Sequence, residues 1–536
     1  MPSPHPQLPA SGISPSQIRP VEIGSLSTSS LNESQFFGSS SGVFFVNTVF
    51  RAFAESTPGS PSLDTQSDGQ APADYIAEQN DDTNNYTPKA PIPSHGKTYD
   101  IGIAERCLGW PPTLEVARRL VMLYFELWHP VFPFLHGPTF LQELETFYAK
   151  QRDHTSETSQ LRDNTRQAVL FQCVFSIAAM DTEDNVPLIT SASSLMSLLG
   201  MLSAKHDTPC LQALLAAQLY LITTMSLQAA STVGGMLWRN IFHAGFHRCP
   251  YRYAQLSHHD CEIRKRMFWC SYATDRYLSQ ALGHPLGIQD SDIDVCVPGT
   301  RELHKPVPRP MHSKSRQDPQ KEILLHLPDG HPDLVPHSQA HETESPSRIS
   351  VSSPASGFRS TYKPQQGFSP SVEPPQHAGE DVLACYIEYS RITGQVVELL
   401  HKSIHTRSVD TSKMLIISAE VQAWWNGLPH KFQDVSSDMH DNPAYSFAPF
   451  FTVLHQQLIM LVNRSFLSLD PTNPVFNSSL QTCIGASRII ISTLKNHRRS
   501  RQCLSAPAML SATWMAGLVI AFSCQLNAYP FHKGFT

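Results

Sequence analysis

The sequence predicts an all-α fold: a multi-helical domain with long disordered N-terminal and central segments. Three observations predict it. Apolar residues recur at three- and four-residue steps in block after block, the period of a helix with one buried face. Strand-like alternation is absent between those blocks, where Ala, Leu, Gln and Met dominate. Ser- and Pro-rich tracts without periodicity cover the N-terminal region and residues 301–380, and such composition cannot bury enough apolar surface to fold.

At 536 residues with 41% hydrophobic residues, the chain has room for one large or two ordinary domains and a sizeable core. A net charge of −6 argues against a general polyanion-binding surface. The 11 cysteines are scattered singly, with no Cys-x-x-Cys pair, as reduced thiols serving as small core residues would be. The N-terminus has no apolar signal region, and no stretch reads as long and apolar enough to span a bilayer. A soluble intracellular protein without a membrane partner is expected.

In chain order, residues 1–103 read as mostly disordered, with one short apolar segment at 36–54. That segment, with Phe44, Phe45, Val46, Val49, Phe50 and Phe53, is either a partner-binding helix or a small packed appendage. A first helical part spans 104–300. Pro111 and Pro112 start a helix whose Ala117, Leu120, Val121, Tyr124, Leu127 and Trp128 keep the period. His129-Pro130 to Pro133 breaks it, and Pro138-Thr139-Phe140 starts the next, running to about Lys150. Residues 165–180 and 193–202 are further helices, and 211–229 and 233–246 read as an antiparallel pair. A helix from about Cys261 to Leu282 follows, with Glu262 four residues before Arg266 in the order that favours an ion pair. Gly283 suits a left-handed helix terminus, Pro285 prevents continuation, and Ile288–Val297 reads as an extended strap. After the 301–380 insert, a second helical part spans 381–536. Its stripes include Ile387 to Leu400, a stop at Trp424-Trp425-Asn426-Gly427-Leu428-Pro429, and helices at 449–461, 483–494 and 509–526.

Two blocks carry more than periodicity. The first is Tyr124, Phe125, His129, Pro130, Pro133, His136, Pro138, Thr139 and Phe140; the second is Glu262, Arg264, Arg266, Trp269, Tyr272, Asp275, Arg276, Gly283, Pro285, Ile288, Ile293, Asp294 and Pro298. Together they resemble the fungal-specific transcription factor domain, the middle regulatory region of fungal zinc-cluster regulators, in its xylanolytic-activator-like form. Phe268 stands where many members have a first Trp, and Lys265 interrupts an Arg run. Asn463-Arg464-Ser465-Phe466-Leu467 resembles the family's late block with Ser465 in place of a proline, and the Phe-Gly-Ser-Ser segment near residue 37 resembles one that precedes the middle region.

The resemblance implies a nuclear, non-enzymatic regulator of RNA polymerase II genes, acting in a metabolic or biosynthetic pathway. It implies promoter DNA and the transcription machinery as partners, with homo- or heterodimerisation among zinc-cluster regulators. Zinc belongs to the family's N-terminal six-cysteine module. Here the first cysteine is Cys107, and Arg19, Arg51, Lys89 and Lys97 before it stand apart, so this chain is expected to hold no cofactor. Alternatives are a DNA-independent partner or inhibitor of an intact regulator, and a metal-dependent all-α enzyme.

The residues themselves favour no catalysis. His243, His247, Cys249, His258, His259 and Cys261 include an i, i+4 histidine pair that can chelate zinc, but no HExxH carboxylate accompanies it. We read them as cap and surface residues, and His129 and His136 as loop residues hydrogen-bonding backbone carbonyls. The Gly-x-Ser-x-Gly string Gly38-Ser39-Ser40-Ser41-Gly42 reads as lying in a poor scaffold for a strained strand–helix elbow, and no P-loop or dinucleotide fingerprint is present. Arg264, Lys265, Arg266 and Arg276 are interleaved with acids and read as intramolecular ion pairs, with Asp275-Arg276 half buried. Lys495 to Arg501 is a short basic run that suits a nuclear-import signal or a solvated helix end. Trp424, Trp425 and the Phe450 helix read as core aromatics, with the edge of a small-molecule pocket as the alternative.

Overall fold

A computed structural model describes residues 24–28, 34–55, 107–152, 160–180, 182, 189, 191–304, 378–401, 411–433, 446–500 and 507–529. The 301–380 insert falls almost wholly outside these residues, as do the tracts 1–23 and 56–106.

Among the described residues the regular elements are helices, apart from one hairpin. Strand β1 (Gly24–Thr28) pairs antiparallel with β2 (Ser34–Gly38), with Leu26 opposite Phe36. Nothing in the residue pattern announces these strands. Helix α1 (Gly42–Glu55) comes directly after and buries Phe45, Val46 and Val49. Of the two readings of this segment, the packed appendage is the one observed.

The helix α2 (Leu114–Leu127) starts where Thr113 accepts the Val116 N–H, which satisfies an orphan donor of the first turn. It buries Ala117, Leu120, Val121 and Tyr124 on one face. After the proline-rich break come α3 (Gly137–Arg152), α4 (Gln160–Ala179) and α5 (Ala192–Ser203). The helices α6 (Thr208–Thr223) and α7 (Leu227–His243) form the anticipated pair, but their joint falls at Thr224–Ser226, earlier than the sequence suggests. Met225 takes a positive φ of 60° there, a conformation uncommon for a residue other than glycine, and its side chain is exposed. The next helix, α8 (His258–Leu282), is almost wholly enclosed. Gln218 of α6 bonds to both neighbours: its amide donates to the Ala230 carbonyl of α7, and its side-chain oxygen accepts from Thr274 of α8.

Ser257 caps α8 by accepting the Asp260 N–H, so the helix begins three residues before the apolar period does. It ends as expected on Gly283, with φ 71°. The strap beyond is not uniformly extended, because a 3-10 turn at Asp290–Asp292 breaks it.

The second part consists of α9 (Ala378–Leu400), α10 (Thr411–Gly427), α11 (Ala448–Arg464), α12 (Pro474–Ser500) and α13 (Pro507–Gln525). The helix α12 starts nine residues before its anticipated apolar stripe. The helix α9 packs on α8 and joins the two parts, while α11, α12 and α13 pack on one another and α1 closes over α13. By length and composition α13 could cross a membrane, contrary to the sequence reading. It instead lies against α1, α11 and α12, with Ala512, Met515, Ala516 and Val519 buried.

Candidate functional site

The polar interior of this body centres on the last turns of α8. Arg276 is fully enclosed, and its guanidinium is held on three sides. One terminal nitrogen donates to the Asp275 carboxylate at 2.7 Å. The other donates to Asp290 at 2.7 Å and to the Ile288 carbonyl at 2.9 Å. The cation lies 4.1 Å from the centre of the Tyr272 ring, whose hydroxyl also donates to Asp290. Asp275 in turn accepts the Gly287 N–H at 3.1 Å. Burial pushes the Asp275 carboxyl upward, while Arg276 and the Gly287 N–H pull the other way. This knot ties the strap back onto the helix it leaves.

The helix terminus beside it receives the N-terminal segment. Gly283 and Gly38 meet backbone to backbone, so a Cβ on either would collide with the other. Ser279 donates to the Pro285 carbonyl and fixes the turn. Next to this contact Arg464 of α11 is buried, donates to the Ser40 carbonyl and to the Met515 sulfur, and faces the Phe45 ring. Burial lowers its pKa to about 10. Ser39 shares a hydrogen bond with His401 at 3.2 Å. The Gly-Ser segment is thus gripped by α8, α11 and the residue that ends α9.

The first sequence block lies along the other end of α8. Tyr124 is buried, and burial holds its hydroxyl well above the ordinary tyrosine value. Phe125 packs edge-on against Tyr124 and Phe140 and 4.7 Å from the His129 ring. Burial, then Arg266 and His136, lowers His129 to about 3. The two histidines do not bond the carbonyls assigned to them. Nδ1 of His129 is buried with no partner among the described residues, and His136 pairs with the Thr139 hydroxyl at 2.8 Å and stacks edge-on against His259. Pro133 is buried, Pro130 is half-buried, and Pro138 lies in the first turn of α3.

The remaining α8 residues serve the same end. Trp269 donates to the Cys296 carbonyl and holds the strap further along. Arg264 donates to the Ala244 carbonyl and covers the Phe246 ring. The anticipated Glu262–Arg266 ion pair does not form. Tyr251 captures the Glu262 carboxylate, leaving Arg266 the weaker Glu262 carbonyl at 3.4 Å. Trp425 stacks on His455 at 4.5 Å, and Trp424 donates to the Cys385 carbonyl, so both are tied into the α9–α10–α11 packing. The anticipated histidine–cysteine constellation is dispersed: His243 lies against His206, His247 against Phe242, and Cys249 turns toward Glu302. Sequence reasoning missed Asp290, which stands with Asp292 and Asp294 in a strap of mixed apolar and acidic residues and is not distinguished from them there, and the role of Arg464 as anchor for Ser40.

The buried polar groups of this helical body bond its own segments to one another. Residues 121–426 match the family described as fungal specific transcription factor domain. The chain is 40% identical to "Probable transcription factor FUP6" of Fusarium proliferatum, over 96% of this chain and 72% of that protein. It is 26% identical to "Transcriptional activator protein acu-15" of Neurospora crassa, over 49% of this chain and 25% of that one. It is 24% identical to "Positive regulator of purine utilization" of Emericella nidulans, over 52% and 31% respectively. No solved structure matches. The chain belongs to the fungal-specific transcription factor domain family and is a fungal transcription regulator.

Proposed function

We propose that this chain is the regulatory body of a zinc-cluster-type regulator, working in the nucleus on genes of a metabolic or biosynthetic pathway. The carrying observation is the seat of residues 37–49 in the helical body, against Gly283, Arg464 and His401. The resemblance puts the DNA-binding module of such proteins N-terminal to this segment. A segment gripped there can relay the state of the body to whatever precedes it. DNA is then reached through a zinc cluster, carried either upstream of these residues or by an intact partner regulator.

A reporter assay tests this. The chain, fused to a heterologous DNA-binding domain, should change transcription from that domain's sites, and a Gly38→Val fusion should change the response at equal protein level. A fusion that accumulates in the nucleus and leaves the reporter unmoved would overturn the reading. Co-purification of zinc-cluster regulators with the unfused chain would favour the partner arrangement.

A further inference from the structure

Beyond α8, the strap ends in a cluster that takes no part in the Arg276 knot or in the seat of the N-terminal segment. Cys249 comes from the loop after α7, Cys296 from the strap, and Glu302 and His304 from the irregular residues just after it, before the chain enters residues 305–377. Donor atoms of Cys249, Glu302 and His304 all lie within 4.8 Å of one another. The Cys249 sulfur is 3.2 Å from Glu302 Oε1, His304 Nδ1 is 3.1 Å from the same oxygen, and the Cys296 sulfur is 3.5 Å from His304 Nδ1.

These separations have a specific meaning. Zinc–sulfur bonds of about 2.3 Å and zinc–nitrogen or zinc–oxygen bonds of about 2.0–2.1 Å, at tetrahedral angles, set a nitrogen and an oxygen about 3.3 Å apart, a sulfur and either of them about 3.6 Å apart, and two sulfurs about 3.8 Å apart. The 3.5 Å Cys296–His304 separation matches. The 3.2 Å Cys249–Glu302 and 3.1 Å His304–Glu302 separations are shorter, so those donors must spread slightly to take the ion. The Cys296 sulfur, outside the set that lies within 4.8 Å of one another, must move in to complete it. As a hydrogen-bond network the cluster is crowded. The Cys249 thiol, the His304 N–H and His304 Nδ1 all converge on Glu302 Oε1, an oxygen with two lone pairs. The other carboxylate oxygen is already taken by Lys265, itself 5% exposed, at 3.1 Å.

We propose that Cys249, Cys296, Glu302 and His304 form a structural zinc(II) site. Binding replaces the two thiol protons, which leave to solvent, by two zinc–sulfur bonds, with no change in oxidation state. The charges then close. Zinc, two thiolates and one carboxylate sum to −1, and Lys265 on the outer carboxylate oxygen neutralises that charge and fixes the carboxylate's orientation. The site joins the loop after α7 to the end of the strap, and so clamps the point where the chain leaves the first helical part. Its residues are unrelated to an N-terminal six-cysteine module, since they begin at Cys249.

The test uses the full chain, stripped with a chelator and titrated with zinc(II) or cobalt(II). One equivalent is expected to bind, and the cobalt form should show the visible bands of a tetrahedral site with a near-ultraviolet thiolate charge-transfer band. Cys249→Ser and His304→Ala, each of which removes a direct ligand, should each weaken binding by more than roughly 100-fold, beyond the strongest outer-shell effects. His304→Cys, which restores a donor, should recover one equivalent, and His243→Ala with His247→Ala should leave the titration unchanged. His304→Ala alters the end of the strap, so circular dichroism of that variant separates loss of metal from loss of fold. Absence of stoichiometric metal, unaltered binding in a folded His304→Ala protein, or a Cys249–Cys296 disulfide formed in preference to the metal complex would each overturn the proposal.

Discussion

Replacing Arg276 by methionine removes the centre of the knot while keeping much of the apolar stem. The variant loses the bonds to Asp275, Asp290 and the Ile288 carbonyl, and the contact with the Tyr272 ring. The larger cost lies in what remains. Asp275, with its side chain only 11% exposed, keeps the Gly287 N–H but loses its counter-charge. Breaking a buried pair from one side costs about 3–5 kcal/mol, against a total stability on the order of 5–15 kcal/mol for a folded domain. Urea unfolding followed by tryptophan fluorescence should therefore show the midpoint falling by on the order of 1 M or more. Adding Asp275→Asn to Arg276→Met should recover a large part of the loss, because the amide still accepts from Gly287 and no charge stays buried. A single-variant cost under about 1 kcal/mol, or a double-variant cost equal to the sum of the singles, would refute the account of Arg276 as a desolvated ion-pair centre.

Other perturbations probe neighbouring joints. Gly38→Ala forces a Cβ into the Gly283 backbone, so the N-terminal segment should unseat while the rest stays folded; hydrogen exchange would show faster exchange in residues 34–50 with the α11 amides unchanged. Acid should destabilise the domain through its buried neutral histidines, because His129 at about 3 and His455 at about 4 bind fewer protons folded than unfolded. Their stabilisation is complete above the unfolded value near 6.5 and is lost as pH falls toward those lower values, by about 2 kcal/mol per histidine at pH 5. A His455→Phe variant, still able to stack on Trp425, should lose about half of that acid sensitivity, measured as the difference in urea midpoints between pH 7.5 and 5.

Much of this architecture is legible in the sequence because it depends on local rules. The period of α2, the Gly283 stop and the enclosure of α8 follow from residues within a few positions of one another. Sequence reasoning fails where distant groups compete for one partner. Glu262 lies in the right place for Arg266, yet Tyr251 offers a short, rigid hydroxyl and takes the carboxylate. Cys249 has histidines nearby in sequence, yet its thiol meets Glu302, which is 53 residues away. The hairpin β1–β2 leaves no trace in the pattern because Ser-rich strands lack the alternation that marks a half-buried strand, and the pairing that stabilises them lies in the backbone.

The residues that carry the family resemblance are therefore better understood as joints than as a surface for a ligand. Arg276, Asp275 and Gly287 fix the strap; Gly283 admits Gly38; Trp269 holds Cys296; Phe125 packs on Tyr124, Phe140 and His129. The Arg276 and Trp269 joints tie α8 to the strap and Gly283 ties it to the N-terminal segment, so displacing α8 would loosen all of them together. A two-state displacement of α8 is one physical route by which a signal received on that helix reaches the N-terminal segment packed against it. That is why a glycine pair with no room for a methyl group, rather than any reactive side chain, is the most constrained contact between the body and its N-terminal segment. It also makes Gly38→Val the sharper reporter variant. It breaks the connection while leaving the α8 knot intact, so a changed transcriptional response with unchanged unfolding of the helical body would locate regulation at this joint.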